Sequence, residues 1–190
     1  TSQYVKPTEV GRLPVPLSQA PLSVSRMSAP MISDLSLNSL IDVARNVTGV
    51  RPNNSYGGFQ SFYIRGFNTF VVVTDGIRDE RHNLYASAPN TTLASIESIE
   101  ILKGAASVMY GHSALGGVIS LVHKQPTSVP RVNAQMSIGS WGRYSIQGGA
   151  GGNIARGVDF RTDFSMSGGE GWRHTNDRAY NAYFALNFRL

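Results

Sequence analysis

Ser113 sits in the segment Gly111-His112-Ser113-Ala114-Leu115-Gly116, where a serine on a tight turn between glycines could act as the nucleophile of acyl transfer. The spacing does not fit that chemistry. The second glycine arrives one residue late, and 117–119 is strand-like where a nucleophile elbow opens a helix. The four histidines, His82, His112, His123 and His174, are far apart, with no His-x-x-x-His among them, so a metal site made of side chains is not expected. The chain has no Cys, which removes a thiolate zinc site, a cysteine nucleophile and a disulfide framework. The glycine-rich stretch 148–152 lacks the lysine of a phosphate loop and reads as close backbone packing within a strand. No enzyme chemistry and no cofactor are therefore expected.

Composition narrows the remaining classes. Of 190 residues, 41% are apolar and 15% charged, and 17 basic against 12 acidic side chains leave a net charge of +5. Lys and Arg are never adjacent, and residues 1–126 carry +2 while 127–190 carry +3, so no basic patch marks a nucleic-acid partner. No run of ~18 apolar residues is present for a transmembrane helix, and the N-terminal stretch has no signal-peptide pattern. A β-barrel is compatible with both observations, because its strands are short and alternate.

The elements that must position any site fall into two grammars. Residues 1–30 hold Pro7, Pro14, Pro16, Pro21 and Pro30 with scattered Ser, an extended or mobile lead-in. Leu37, Leu40, Ile41, Ala44 and Val47 recur at helical spacing, with Ser36 as a candidate N-cap and Gly49 as a stop, which predicts a helix over about 37–47. Strands are predicted at 59–64, 70–74, 96–103 and 117–123, with long polar loops over 51–60 and 78–92. Residues 20–125 thus read as a small α+β domain, and 126–130 as a linker. Beyond it the period becomes two, at 132–138, near 143–151, at 158–166 and at 180–190, with a short turn at 139–142. These hairpins have about the ~9–11 residues per strand that cross a membrane. The alternative is one sheet of a water-soluble sandwich, which would need a second sheet that the rest of the chain does not supply.

An ordered set of motifs then carries a family resemblance: Leu40-Ile41-Asp42-Val43 with Thr48-Gly49-Val50, Phe62-Tyr63-Ile64-Arg65-Gly66-Phe67, Asp75-Gly76-Ile77-Arg78, Ile99-Glu100-Ile101-Leu102-Lys103-Gly104, Ser107-Val108-Met109-Tyr110-Gly111 and Gly116-Gly117-Val118-Ile119. Over about 100 residues this order resembles the plug domain of TonB-dependent outer-membrane receptors, most closely their siderophore branch, and the alternating strands resemble the start of that family's barrel. The resemblance implies an α+β plug domain over 21–125, preceded by an N-terminal segment over 1–20 and followed, after the linker, by about four antiparallel transmembrane strands over 131–190. Ala105 stands where the family usually has proline. No convincing TonB box precedes the plug, Thr8-Glu9-Val10 being a poor match. Since a plugged transporter barrel has about 22 strands, the chain is expected to be the N-terminal portion of a larger plugged barrel, with the remaining strands missing from it.

The resemblance implies binding and import of a ferric siderophore at the bacterial outer membrane, with TonB and its energising inner-membrane complex, the siderophore and outer-membrane lipid as partners. The same architecture could import cobalamin or a glycan, and a plug-like soluble binding or signalling module is a further alternative. The plug loops would meet the chelate through Arg51 for its negative charge, Tyr56, Phe59 and Tyr85 as rigid surfaces, and Asn53, Gln60 and Asn83 as hydrogen-bonding groups. Iron itself needs no protein ligand, since the chelator fills its coordination sphere. Arg65, Glu97 and Glu100 are expected in ion pairs that hold the plug to the barrel wall, where the lumen-facing groups would be Asp159, Arg161, Asp163, Asn187 and Arg189. Ordinary solvated charge is the plainer reading of the same residues. Phe160, Phe164, Phe184 and Phe188 would face lipid, opposite a wet lumen.

Overall fold

The computed structural model describes residues 22–53, 60–80, 88, 92–112, 114–170 and 176–189. The chain divides into two compact units, one of 1–90 with 96–123 and the other of 91–95 with 124–190. The lead-in expected over 1–20, Thr8-Glu9-Val10 included, lies outside the described residues, as does Ser113.

The first unit is built on a five-stranded sheet, ordered β1 (Val24–Ser28), β6 (Ile96–Lys103), β7 (Gly117–His123), β4 (Phe70–Thr74) and β5 (Ile77–Arg78). β4 and β7 are parallel and the other pairs antiparallel. A separate antiparallel pair joins β2 (Val50–Asn53) to β3 (Ser61–Ile64). Among the described residues it also carries the short helices α1 (Ala29–Asp34), α2 (Leu40–Arg45) and α3 (Ser107–Tyr110). β4, β6 and β7 are buried on both faces, so β4 and β7 read as apolar runs rather than alternating ones, while the Ile-rich β6 also carries Ser98 and Glu100 into the interior. Val71, Val73, Leu102, Ala106, Tyr110, Ala114 and Val118 form one apolar cluster there.

Two local readings are corrected. The helix starts at Leu40, not near 37: Ser39 caps it by accepting from the Asp42 amide at 3.2 Å, and the Asp42 carboxylate accepts from the Ser39 amide at 3.1 Å, a closed capping box. Ser36, the expected cap, lies in the left-handed region at φ 52°. The irregular lead-in read over 1–30 does not extend through 24–30, because 24–34 forms β1 and α1, with Pro30 in the first turn of α1 where a missing N–H costs nothing.

The second unit contains two antiparallel hairpins, β8 (Arg131–Ile138) with β9 (Tyr144–Ala155), and β10 (Val158–Glu170) with β11 (Asn176–Phe188). Its burial is inverted. On β10 the odd positions Asp159, Arg161, Asp163 and Ser165 are buried, whereas Phe164 is 55% exposed. On β11, Tyr180, Phe184, Leu186 and Phe188 are exposed. Among the described residues the apolar side of these strands is the exposed one, the pattern of strands whose outer solvent is lipid rather than of a sandwich in water.

Candidate functional site

The predicted ligand loops are shorter than the sequence suggested, because Arg51, Pro52 and Asn53 belong to β2, paired with Tyr63, Phe62 and Ser61. Pro52 is tolerated in a two-stranded pair, where one edge lacks a partner strand. Arg51 is exposed and Asn53 half-buried. Gln60 is buried and bridges to Ala88, whose amide donates to the Gln60 carbonyl at 2.6 Å. Gln60 and Ala88 are the residues that follow the polar segments 54–59 and 81–87 in sequence, and their bridge lies just before the start of β3. Tyr56, Phe59, Asn83 and Tyr85 lie outside the described residues. Arg78, at the opening of the second segment, is turned to structure: its guanidinium donates to the carbonyls of Tyr110, at the end of α3, and of His112 at 3.2 Å, and it pairs with Glu80 at 2.8 Å.

Arg65 is exposed, at φ 51°, in the turn after β3, and its amide donates to the Gly49 carbonyl at 2.9 Å. Its guanidinium lies where a side chain on Gly104 would begin, with Nη1 3.0 Å from that Cβ position. Glu100 is 1% exposed and faces Arg26 across the β1–β6 register, Nε to Oε1 3.6 Å. Sequence reasoning did not foresee this partner inside the first unit, because the strand that carries Arg26 was not recognised. Glu97 is half-buried on β6, at the register irregularity between Ile96 and Ser98.

On β10 the expected lumen-facing charges satisfy one another. Arg161 donates from Nε to Asp163 Oδ2 at 2.7 Å and from Nη2 to the other carboxylate oxygen, a bidentate pair, and Nη2 also donates to Asn133 Oδ1 at 3.0 Å. Lys124 stands 3.6 Å from the same carboxylate. Asp159 accepts from Arg189 and from Asn153, each at 3.0 Å. Thr92 and Ser165 share a hydroxyl hydrogen bond, and the Lys124 ammonium donates to the Ala94 carbonyl, so the segment 92–95 is tied to this polar face. Asp163 is 1% exposed, so the face is a packed ion network rather than the wet surface expected. Asn187 is exposed, opposite Asp159 in the register.

The glycines of β9 make room for that network. A Cβ on Gly149 would collide with the Asp163 carboxylate, and one on Gly148 would lie 2.7 Å from the Phe164 ring on the other face. Sequence reasoning took this stretch as close backbone packing without naming the partners. Its chemical use is now specific: bare backbone on one strand lets a buried ion pair lie across it. Among the described residues no group of three His, Asp or Glu could hold a metal ion.

Comparison with known proteins agrees with this geometry. The family model described as TonB-dependent Receptor Plug Domain matches residues 16–118. The ferripyoverdine receptor of Pseudomonas aeruginosa is 30% identical over 135 residues, 70% of this chain and 17% of the relative. The vitamin B12 transporter BtuB of Vibrio vulnificus is 31% identical over 115 residues, 58% of this chain and 19% of the relative. The crystal structure of the P. aeruginosa ferripyoverdine receptor bound to ferripyoverdine superposes with a TM-score of 0.87 at 25% identity, over 98% of this chain and 26% of that one. The chain thus spans about a sixth to a quarter of the length of these relatives.

Proposed function

The chain belongs to the TonB-dependent receptor plug family, a family of outer-membrane receptors and not of enzymes, and from that premise we propose that it is the N-terminal part of a receptor that binds and imports a ferric siderophore. The observation that carries the reading is the pairing of a matched plug with strands whose charges are buried and whose phenylalanines are exposed, the inside-out pattern of a barrel wall in lipid. The siderophore is supported by the relatives, among which a ferripyoverdine receptor stands at 30% identity.

In this reading β8 to β11 begin the barrel, and further strands complete it. The segments 54–59 and 81–87, followed in sequence by the bridged Gln60 and Ala88, present the chelate-binding surface. Arg51 supplies positive charge, Tyr56, Phe59 and Tyr85 supply rigid amphipathic faces, and Asn53, Gln60 and Asn83 supply hydrogen bonds. Iron travels as cargo inside its chelator. Arg65 and Glu97 take part in holding the plug in its seat, Glu100 being buried against Arg26 within the plug itself, and TonB with its inner-membrane complex supplies the work of displacing it. Binding and import are therefore separable steps.

The test is fluorescence titration of the full-length receptor with a ferric siderophore. Arg51→Ala and Tyr85→Ala each weaken binding by about 1–3 kcal/mol, the range for truncating a contact residue, with membrane expression unchanged. Wild-type affinity in the double variant would overturn the loop assignment. The similarity to a vitamin B12 transporter supports a second reading, import of a cobalamin. Cyanocobalamin binding without ferric-siderophore binding would select it.

A further inference from the structure

On the second unit a recess of about 320 Å3 is lined by Trp141, Tyr144, Glu170 and Arg178, with Gly142 and Gly169 completing it. Its face follows from strand parity. The even positions of β10 and β11 share the side of exposed Phe164 and Phe184, away from buried Asp163, and Glu170 and Arg178 are even positions in the same register. On β9, Tyr144 shares the side of exposed Ile146, opposite the face on which Gly149 meets Asp163. The recess therefore opens outward, away from the ion network.

Its height along the strands is also set. The connection between β9 and β10 is two residues, 156–157, whereas β8–β9 and β10–β11 are joined by five each, 139–143 and 171–175. Outer-membrane barrels have short periplasmic turns and longer outer loops, so the recess lies at the outer end. There the exposed strip of Phe188, Leu186, Phe184 and Tyr180 gives way to Arg178, as an apolar band gives way to a headgroup layer.

We propose that this recess seats the phosphorylated saccharide headgroup of an outer-leaflet lipid. The inference rests on the outer-membrane reading above. Arg178 presents a planar fork of donors matched to phosphate oxygens, Trp141 and Tyr144 offer ring faces to the C–H surface of a sugar, and Glu170 offers carboxylate oxygens to its hydroxyls. The acyl chains would run down the exposed side of Ile146, Phe164 and Tyr180. A solute crossing the barrel meets the opposite face, so the outward site is reached from the lipid phase.

Trp141 is held for this role in an uncommon backbone. Its φ is 63°, a left-handed conformation costly for a bulky residue. The Trp141 carbonyl accepts from the Glu170 amide at 3.1 Å, and the Arg143 carbonyl accepts from the Gly139 amide at 2.8 Å, which fix the turn. Gly169 permits the approach, since a Cβ there would lie 2.6 Å from the Arg143 Cα.

The experiment is native mass spectrometry of the full-length receptor in detergent, with an acylated, bisphosphorylated glucosamine disaccharide and with phosphatidylethanolamine as probes. The receptor should retain the glycolipid in preference. Trp141→Ala and Arg178→Gln should each lower that retention about tenfold, Trp141→Tyr should keep it, and ferric-siderophore binding should be unchanged in all three. Equal retention of the two lipids, or wild-type retention in both loss variants, would overturn the inference. So would displacement by inorganic phosphate or by the deacylated disaccharide at the same concentration, because the site would then recognise a free solute. A receptor that binds siderophore yet shows no lipid preference defeats this inference alone, whereas a chain that does not insert into bilayers defeats the outer-membrane reading with it.

Discussion

Phe62 and Phe164 are the same residue type in the two units of one chain, yet the first is 1% exposed and the second 55%. In the first unit Phe62 packs edge-on against Phe70, with ring centroids 5.7 Å apart, among Val and Ile side chains withdrawn from water. In the second, phenylalanines point outward while Arg161 and Asp163 close an ion pair inside. The difference teaches that burial follows the solvent on each side of a sheet. A domain in water hides its apolar groups, and a wall in lipid hides its charges.

The contrast can be broken by making like changes in both regions. The largest effect is expected from Phe62→Ala, which leaves a cavity in a water-excluding core and should cost about 3–5 kcal/mol, whereas Phe184→Ala, facing lipid, should cost well under that. Urea unfolding of the full-length receptor, followed by hydrogen exchange in β3 and β11, reads the two separately. Phe164→Arg should cost about 2–4 kcal/mol near the midplane of a bilayer, measured as folding free energy in vesicles; an unchanged value would mean the outer face is wet.

Asp163→Asn sharpens the inner side. It keeps shape but removes the charge that faces both Arg161 and Lys124, and a loss of about 1–3 kcal/mol is expected from the weakened buried bonds. A negligible loss would restore the wet lumen that the alternation alone suggested. The smallest effect belongs to Ser39→Ala, which opens the capping box of α2 and should cost about 1 kcal/mol in thermal unfolding of the plug.

What could be read beforehand also differs between the regions. In the second unit apolar and polar side chains alternate with a period of two, so β8, β10 and β11 were visible strand by strand from Val132, Phe160 and Phe184 and their polar neighbours. The polar face was legible as the inner one but as a wet surface, and neither its burial nor the closure of its charges was, since Asn133 and Lys124 reach Arg161 and Asp163 from other segments. In the first unit, β4, β6 and β7 were legible as buried runs. β1 was not, because Val24-Ser25-Arg26-Met27-Ser28 has neither a clean period nor a long apolar run, and with it went the partner of Glu100. The helix start was misplaced although Ser39-x-x-Asp42 is itself a capping signal, since Leu37 and Val47 are buried outside the helix and extended its apparent period. The run 51–60 read as loop because Pro52 and its polar neighbours carry turn chemistry, whereas Arg51, Pro52 and Asn53 pair with β3 as part of β2.

These 190 residues hold no cysteine, so once any cysteine elsewhere in the full-length receptor is replaced by serine, single labels test the central claim. Phe164→Cys, Ser165→Cys, Phe184→Cys and Ala185→Cys in the full-length receptor, each carrying a fluorophore in vesicles, would be quenched with brominated lipid. The account predicts strong quenching at 164 and 184 and little at 165 and 185. Quenching that fails to alternate, or that is stronger at 165 and 185, would contradict it.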